Sequence, residues 1–331
     1  MRRLRPRSAL LVLGAFWLAT LALAPLWGSH ASLFHDLLRG EPTATTIFWQ
    51  LRLPRVLLAL LAGGGLAVSG LGFQTLFRNS LAEPYTLGIA SGAALGAVLA
   101  LRAQEAAELL GLPLVSVASF AGALGATALV VGLGARGRRA GGDETSTLLL
   151  AGIAVSLSCS ALILFLQYMS DSTQTFRMVR WMMGGLSVVG YREVIWLLPW
   201  VAGGSLFLLA LRWDLNLLLT GEELAASRGV DLGRLRLRVL LATSVMIGTL
   251  VAMVGPIGFV GLMVPHMLRR FVGHDHLILG PACLLGGGAF LALCDAAART
   301  VMAPAELPVG VLTALLGGPF FLWLLVVRRK V

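Results

Sequence analysis

Charge is scarce in this chain. Only 13% of its 331 residues are Asp, Glu, Lys or Arg, about half the share of an ordinary soluble domain, and the mean hydropathy is +0.86. That combination excludes a soluble globular enzyme. Lysine occurs once, at Lys330, so the Gly-rich Lys-Ser/Thr loop that cradles ATP phosphates is missing and no ATPase motif is present. Cysteine occurs only as Cys159, Cys283 and Cys294. Each lies inside an apolar run without metal-ligand spacing, which argues against a disulfide framework. Acid is outnumbered, 16 residues against 26 Arg and Lys, for a formal net charge of +10. The arginines cluster between apolar runs instead of lining one amphipathic face, so they read as topology signals and not as a nucleic-acid surface.

What is abundant is apolar length. Ten runs, at 9–27, 54–73, 85–102, 114–134, 147–169, 192–211, 236–255, 257–272, 277–298 and 308–327, predict membrane helices crossing a core of about 30 Å. Barrel strands would alternate over shorter segments, so the expected fold class is all-α, a polytopic membrane protein with ten transmembrane helices in one permease domain over 1–331. Arg2, Arg3, Arg5 and Arg7 precede the first run. Pro25-Leu26-Trp27 stands where a signal peptide would have small residues, so this run reads as a retained helix. An even count puts both termini on one side, and most Arg and Lys fall on that side, so N and C termini are expected in the cytoplasm.

Glycine is plentiful, 40 residues. Gly63-Gly64-Gly65, Gly88 with Gly92 and Gly96, and Gly286-Gly287-Gly288 put small residues where helices can pack closely in lipid. Segments 255–266 and 74–84 look broken, and irregular backbone at membrane depth needs protein or a water-filled cavity against it. Arg55-Val-Leu-Leu-Ala59 is echoed by Arg238-Val-Leu-Leu-Ala242, with Gly65 and Gly248 each ten residues on. If real, the echo marks an inverted repeat relating helices 2–5 and 7–10. No acid sits mid-span in a proton-relay arrangement. His266 is close to Arg269 and Arg270, which oppose a bound cation, so a structural hydrogen bond at a helix end is the reading preferred there.

The longest polar stretch, 220–238, asks for a soluble partner. Within the loop 212–238, Glu222, Glu223, Leu224, Ala225, Ala226, Ser227 and Arg228 predict a short helix closed by Gly229, with acids at its start and Arg228 near its end as the helix dipole prefers.

Taken together, Arg52-Leu-Pro-Arg55, Gln74 with Asn79-Ser-Leu-Ala-Glu-Pro84 and Leu87-Gly88, Leu150-Ala-Gly152, Trp181-Met-Met-Gly-Gly185, Gly258-Phe-Val-Gly-Leu262 with Pro265-His266 and Arg269, and Glu306-Leu-Pro-Val-Gly310 resemble the FecCD-type permeases. These are the membrane subunits of bacterial ATP-driven importers for ferric siderophores, haem and cobalamin. The likeness runs through the whole chain in order. One departure is Ser80 where the family usually has proline, which frees φ and adds a backbone donor.

The resemblance implies ten helices per subunit in a homodimer in the bacterial inner membrane. It implies two ATP-binding subunits on the cytoplasmic side, a periplasmic substrate-binding protein, membrane lipid as surroundings and no nucleic acid. No cofactor is expected in this chain, ATP and Mg belonging to the partner ATPase. Residues 222–229 would be the segment that couples to the ATPase. Arg52, Arg55 and Arg299 would receive acidic residues of the binding protein in rim-type ion pairs. For Arg52 and Arg55 snorkelling to headgroups is the other reading, and for Arg299 it is local neutralisation by Asp295, four residues earlier. Asn79 and Leu81 with Thr145 and Ser146 would form the cytoplasmic gate, an apolar side chain beside small hydroxyls, although Thr145 or Ser146 could equally be a helix N-cap. An ion-coupled secondary transporter of a small organic solute is the alternative, and an intramembrane hydrolase is weaker still. No residue chooses among the cargoes.

Overall fold

In lipid a backbone can pair its own polar groups only as helix or closed barrel, and here the apolar runs all become helix. The computed structural model describes residues 6–28, 33–103, 108–109, 112–139, 144–303 and 305–328. The helices are α1 (Pro6–Leu23), α2 (Leu33–Leu38), α3 (Pro42–Thr46), α4 (Leu53–Leu76), α5 (Ile89–Arg102), α6 (Leu114–Arg139), α7 (Glu144–Tyr168), α8 (Ser172–Met182), α9 (Arg192–Ala210), α10 (Arg212–Leu218), α11 (Glu222–Ser227), α12 (Leu232–Val254), α13 (Val260–Val272), α14 (His276–Ala298) and α15 (Val309–Arg328). The one strand pair among the described residues is small: β1 (Glu108–Leu109) runs antiparallel to β2 (Leu112–Pro113).

Each of the ten predicted runs coincides with a helix. Six segments are both long and apolar enough to cross a membrane: Pro42–Leu76, Leu114–Gly137, Ser146–Tyr168, Arg192–Ala210, Leu232–Val254 and His276–Ala298. Ser8–Leu23, Ile89–Arg102 and Val309–Leu324 are shorter apolar helices. α13 has 13 residues, a rise of about 20 Å, and ends in Arg269 and Arg270. Length and composition thus support six crossings among the described residues, with these four shorter helices beside them.

The second predicted run is longer than its hydropathy suggested. A π-turn, Ile47–Arg52, joins α3 to α4, and Pro54 explains it. Proline has no N–H for the Gln50 carbonyl and its ring crowds that position, so the turn widens. The freed Gln50 carbonyl accepts Gly190 N–H at 2.7 Å instead.

The chain falls into two compact units. In the first, made of Met1–Val68, Met183–Val201 and Ile257–Val331, α14 packs against α1, α13 and α15. Gly63 and Gly287 meet backbone to backbone, and a Cβ on either would overlap the other's carbonyl, which is the close approach predicted for small residues. Phe259 begins α13 at φ +69° and lies on Gly317 of α15, where a side chain would have no room. His266 is buried with its ring edge-on to Phe320 and Phe321.

In the second, made of Ser69–Met182 and Ala202–Pro256, α5 lays Gly92 and Gly96 on Gly122 and Ala118 of α6. α12 packs against both α6 and α5, and Ser116 Oγ of α6 donates to the Ala252 carbonyl of α12 at 2.8 Å. Met178 of α8 is fully buried with Ala94, Val98 and Ile163.

Candidate functional site

The widened turn before Pro54 places Arg52 at its end and Arg55 in the first turn of α4. Opposite them stands Asp295 on α14, whose side chain is 1% exposed. A carboxylate so far from water needs cations against it, and it has two. Arg55 donates from Nε to both carboxylate oxygens at 3.0 Å and from Nη2 to Oδ1 at 2.9 Å. Arg299, one turn along from Asp295, forms an ion pair from Nε to Oδ2 at 3.2 Å, while its Nε–H donates to the Asp295 carbonyl at 3.4 Å. The remaining edge of Arg55 is taken by Glu306, just before α15, with Nη1 to Oε2 at 2.7 Å.

Two of these arginines also hold the turn that follows α1. Arg52 Nη1 donates to the carbonyls of Pro25 and Leu26 at 3.2 and 3.3 Å, and Arg299 Nη2 donates to that of Ala24 at 3.3 Å. Helix C-termini leave carbonyls unpaired and favour positive charge. Burial draws the pKa of Arg299 below the ordinary guanidinium value; Asp295 opposes the shift, Arg55 adds to it, and Glu306 opposes it.

Arg52, Arg55, Arg299, Glu193 and Glu306 line a cavity of about 650 Å3 together with Ser187, Val188 and Val189. Glu193 Oε2 is buried there without a hydrogen-bond partner among the described residues.

The structure therefore brings Arg52, Arg55 and Arg299 together, but not as the exposed rim arginines the sequence suggested. Arg52 and Arg299 are buried and the Arg55 side chain is 13% exposed, because an internal acid and the turn after α1 draw them inward. The local Asp295–Arg299 pair is present. The Arg55–Asp295 pair, 240 residues apart in sequence, was missed, as was Glu306. The available signal was an aspartate inside an apolar run, which requires more neutralisation than one neighbour on its own helix supplies.

The polar stretch is a second structured element. α11 ends in a Schellman arrangement: Gly229 at φ +88°, its N–H on the Ala226 carbonyl at 2.9 Å, and Val230 N–H on that of Ala225 at 3.1 Å. Ala225 is fully buried. Glu222 is held at 2.6 Å by Nη2 of Arg236, itself buried on α12. Glu223, Leu224, Ala226, Ser227, Arg228 and Gly229 remain exposed. Of the predicted 212–238 loop, α10 and the start of α12 are helical, and Asp231 caps α12 by accepting from Arg234 N–H at 3.0 Å.

The predicted gate residues occupy two places in the second unit. Asn79 and Leu81 lie in the turn after α4, where Asn79 Oδ1 accepts Leu81 N–H at 2.9 Å, and Leu81 is half exposed. Thr145 and Ser146 stand in the first turn of α7. Ser146 is exposed, and the Thr145 side chain lies outside the described residues.

Residues 10–327 match the FecCD transport family. The chain is 42% identical over 286 residues to the hemin transport system permease protein HmuU of Yersinia pestis, covering 86% of this chain and 84% of that one. It is 40% identical over 294 residues to the vitamin B12 import system permease protein BtuC of Escherichia coli O9:H4 (strain HS), covering 87% and 86%. Among solved structures, a metal-chelate type ABC transporter in an inward-facing conformation superposes with a TM-score of 0.84 at 32% identity, over 97% of this chain and 99% of that one.

Proposed function

Because the chain belongs to the FecCD transport family, we propose that it is the permease subunit of an ATP-driven importer that carries a metal chelate inward by alternating access. The observation that carries this reading is likeness along the whole length, to haem and vitamin B12 permeases in sequence and to a metal-chelate transporter in fold. Haem, cobalamin and ferric siderophores are the cargo classes. Hydrolysis of ATP falls to separate subunits, so this chain supplies a pathway and the surfaces that open and close it.

On this reading two such subunits form the pathway in the bacterial inner membrane, with both termini in the cytoplasm. The exposed face of α11 seats in the ATPase. Its attachment to α12 through the Glu222–Arg236 pair and the short 229–231 turn supports that role, since a displacement of α11 would be passed to a long helix. The cavity around Arg52, Arg55 and Arg299 opens outward and receives acids of the substrate-binding protein; its concentration of guanidinium groups supports this. Asn79, Leu81, Thr145 and Ser146 form the cytoplasmic gate.

Reconstitution in liposomes with the ATP-binding subunits and the substrate-binding protein tests the proposal. One of the three chelate classes should stimulate both hydrolysis and uptake. Uptake that persists without the ATPase subunits would overturn it in favour of an ion-coupled transporter.

A further inference from the structure

The Glu306-Leu-Pro-Val-Gly310 stretch is part of the family likeness, yet transport as described leaves its acid without a task. In the structure that acid competes for Arg55. Asp295 holds one edge of the guanidinium through both oxygens, with its side chain 1% exposed. Glu306 holds the other edge through one oxygen at 2.7 Å, with its side chain 49% exposed. Its charge bears on Arg52 and Arg299 as well. A buried, two-oxygen pairing is costly to break because it strands a charge away from water. A half-solvated, single-oxygen pairing exchanges readily, since water and a rival carboxylate can each replace it.

We propose that Glu306 is an internal stand-in for the partner's acid. It neutralises the outward edge of Arg55 in the free permease and releases it when a carboxylate of the substrate-binding protein enters the arginine-lined cavity. Asp295 stays in place throughout and keeps Arg55 and Arg299 aimed. Docking then exchanges one ion pair for another, which lowers affinity and keeps the binding protein able to leave after delivering its cargo. This rests on the docking role given above to the three arginines.

The test is titration of the permease, assembled with its ATPase subunits in nanodiscs, with purified substrate-binding protein at low and high ionic strength. Glu306→Gln keeps an acceptor for Arg55 but removes the charge, and should tighten docking about threefold to tenfold at low salt, chiefly through faster association. The gain should shrink at high salt. Glu306→Ala should act in the same direction. Glu41→Gln removes another exposed acid of the same unit, outside the cavity, and should change docking less than twofold. Wild-type docking that ignores salt would overturn the docking role itself. Salt-sensitive docking that Glu306→Gln leaves unchanged or weakens would overturn the stand-in role alone. An equal gain from Glu41→Gln would overturn it too, by reducing the effect to net charge.

Discussion

Arg55 and Arg234 each pair with an aspartate at nearly the same distance, 2.9 and 3.0 Å, but the two pairs do different things. In the first the side chains are 13% and 1% exposed. The aspartate is shared by two guanidiniums, and the cluster joins the start of α4 to α14 and α15. In the second they are 77% and 54% exposed, on adjacent turns of one polar segment, where water and salt compete for both partners. Distance alone does not rank ion pairs. Burial decides whether losing a partner strands a charge.

Three substitutions break the comparison, in descending order of effect. Asp295→Ala leaves Arg55 and Arg299 without their common anion, and should cost about 3–5 kcal/mol, read as a large fall in the melting temperature of the detergent-solubilised protein. An unchanged melting temperature would show that the cluster is far wetter than its burial indicates. Gly229→Val forces a β-branched residue to φ +88°, a strain of order 1–3 kcal/mol confined to the end of α11. The expected result is ATP hydrolysis without matching uptake, and normal transport per ATP in that variant would count against coupling through α11. Arg234→Ala removes the exposed pair and should shift stability by less than about 0.5 kcal/mol, with Asp231 still capping α12. A shift as large as that of Asp295→Ala would erase the distinction between the two regions.

The two regions also differ in how far the sequence revealed them. α11 was legible almost residue by residue, because a short helix with acids first and glycine last is specified locally. Its splitting into anchored residues, Glu222 and Ala225, and exposed ones was not, since that depends on Arg236 reaching back from the next helix. The arginine cluster was legible only as three cations at helix ends. Nothing local says that Arg55 lies against an aspartate 240 residues away. The π-turn was equally hidden: Pro54 frees the Gln50 carbonyl, but only Gly190, arriving from another part of the chain, makes the widened turn worth keeping.

The sequence by itself determined that this chain is helical, apolar along its length and a member of a transport family, because hydropathy, helix caps and short motifs act over a few turns. The tertiary structure alone decided which arginines are spent on internal acids and which carbonyls they cap. It also decided which glycines lie backbone to backbone. Those outcomes depend on which helices become neighbours, and in a chain this apolar the packing that chooses neighbours is spread over many small contacts that no single stretch encodes.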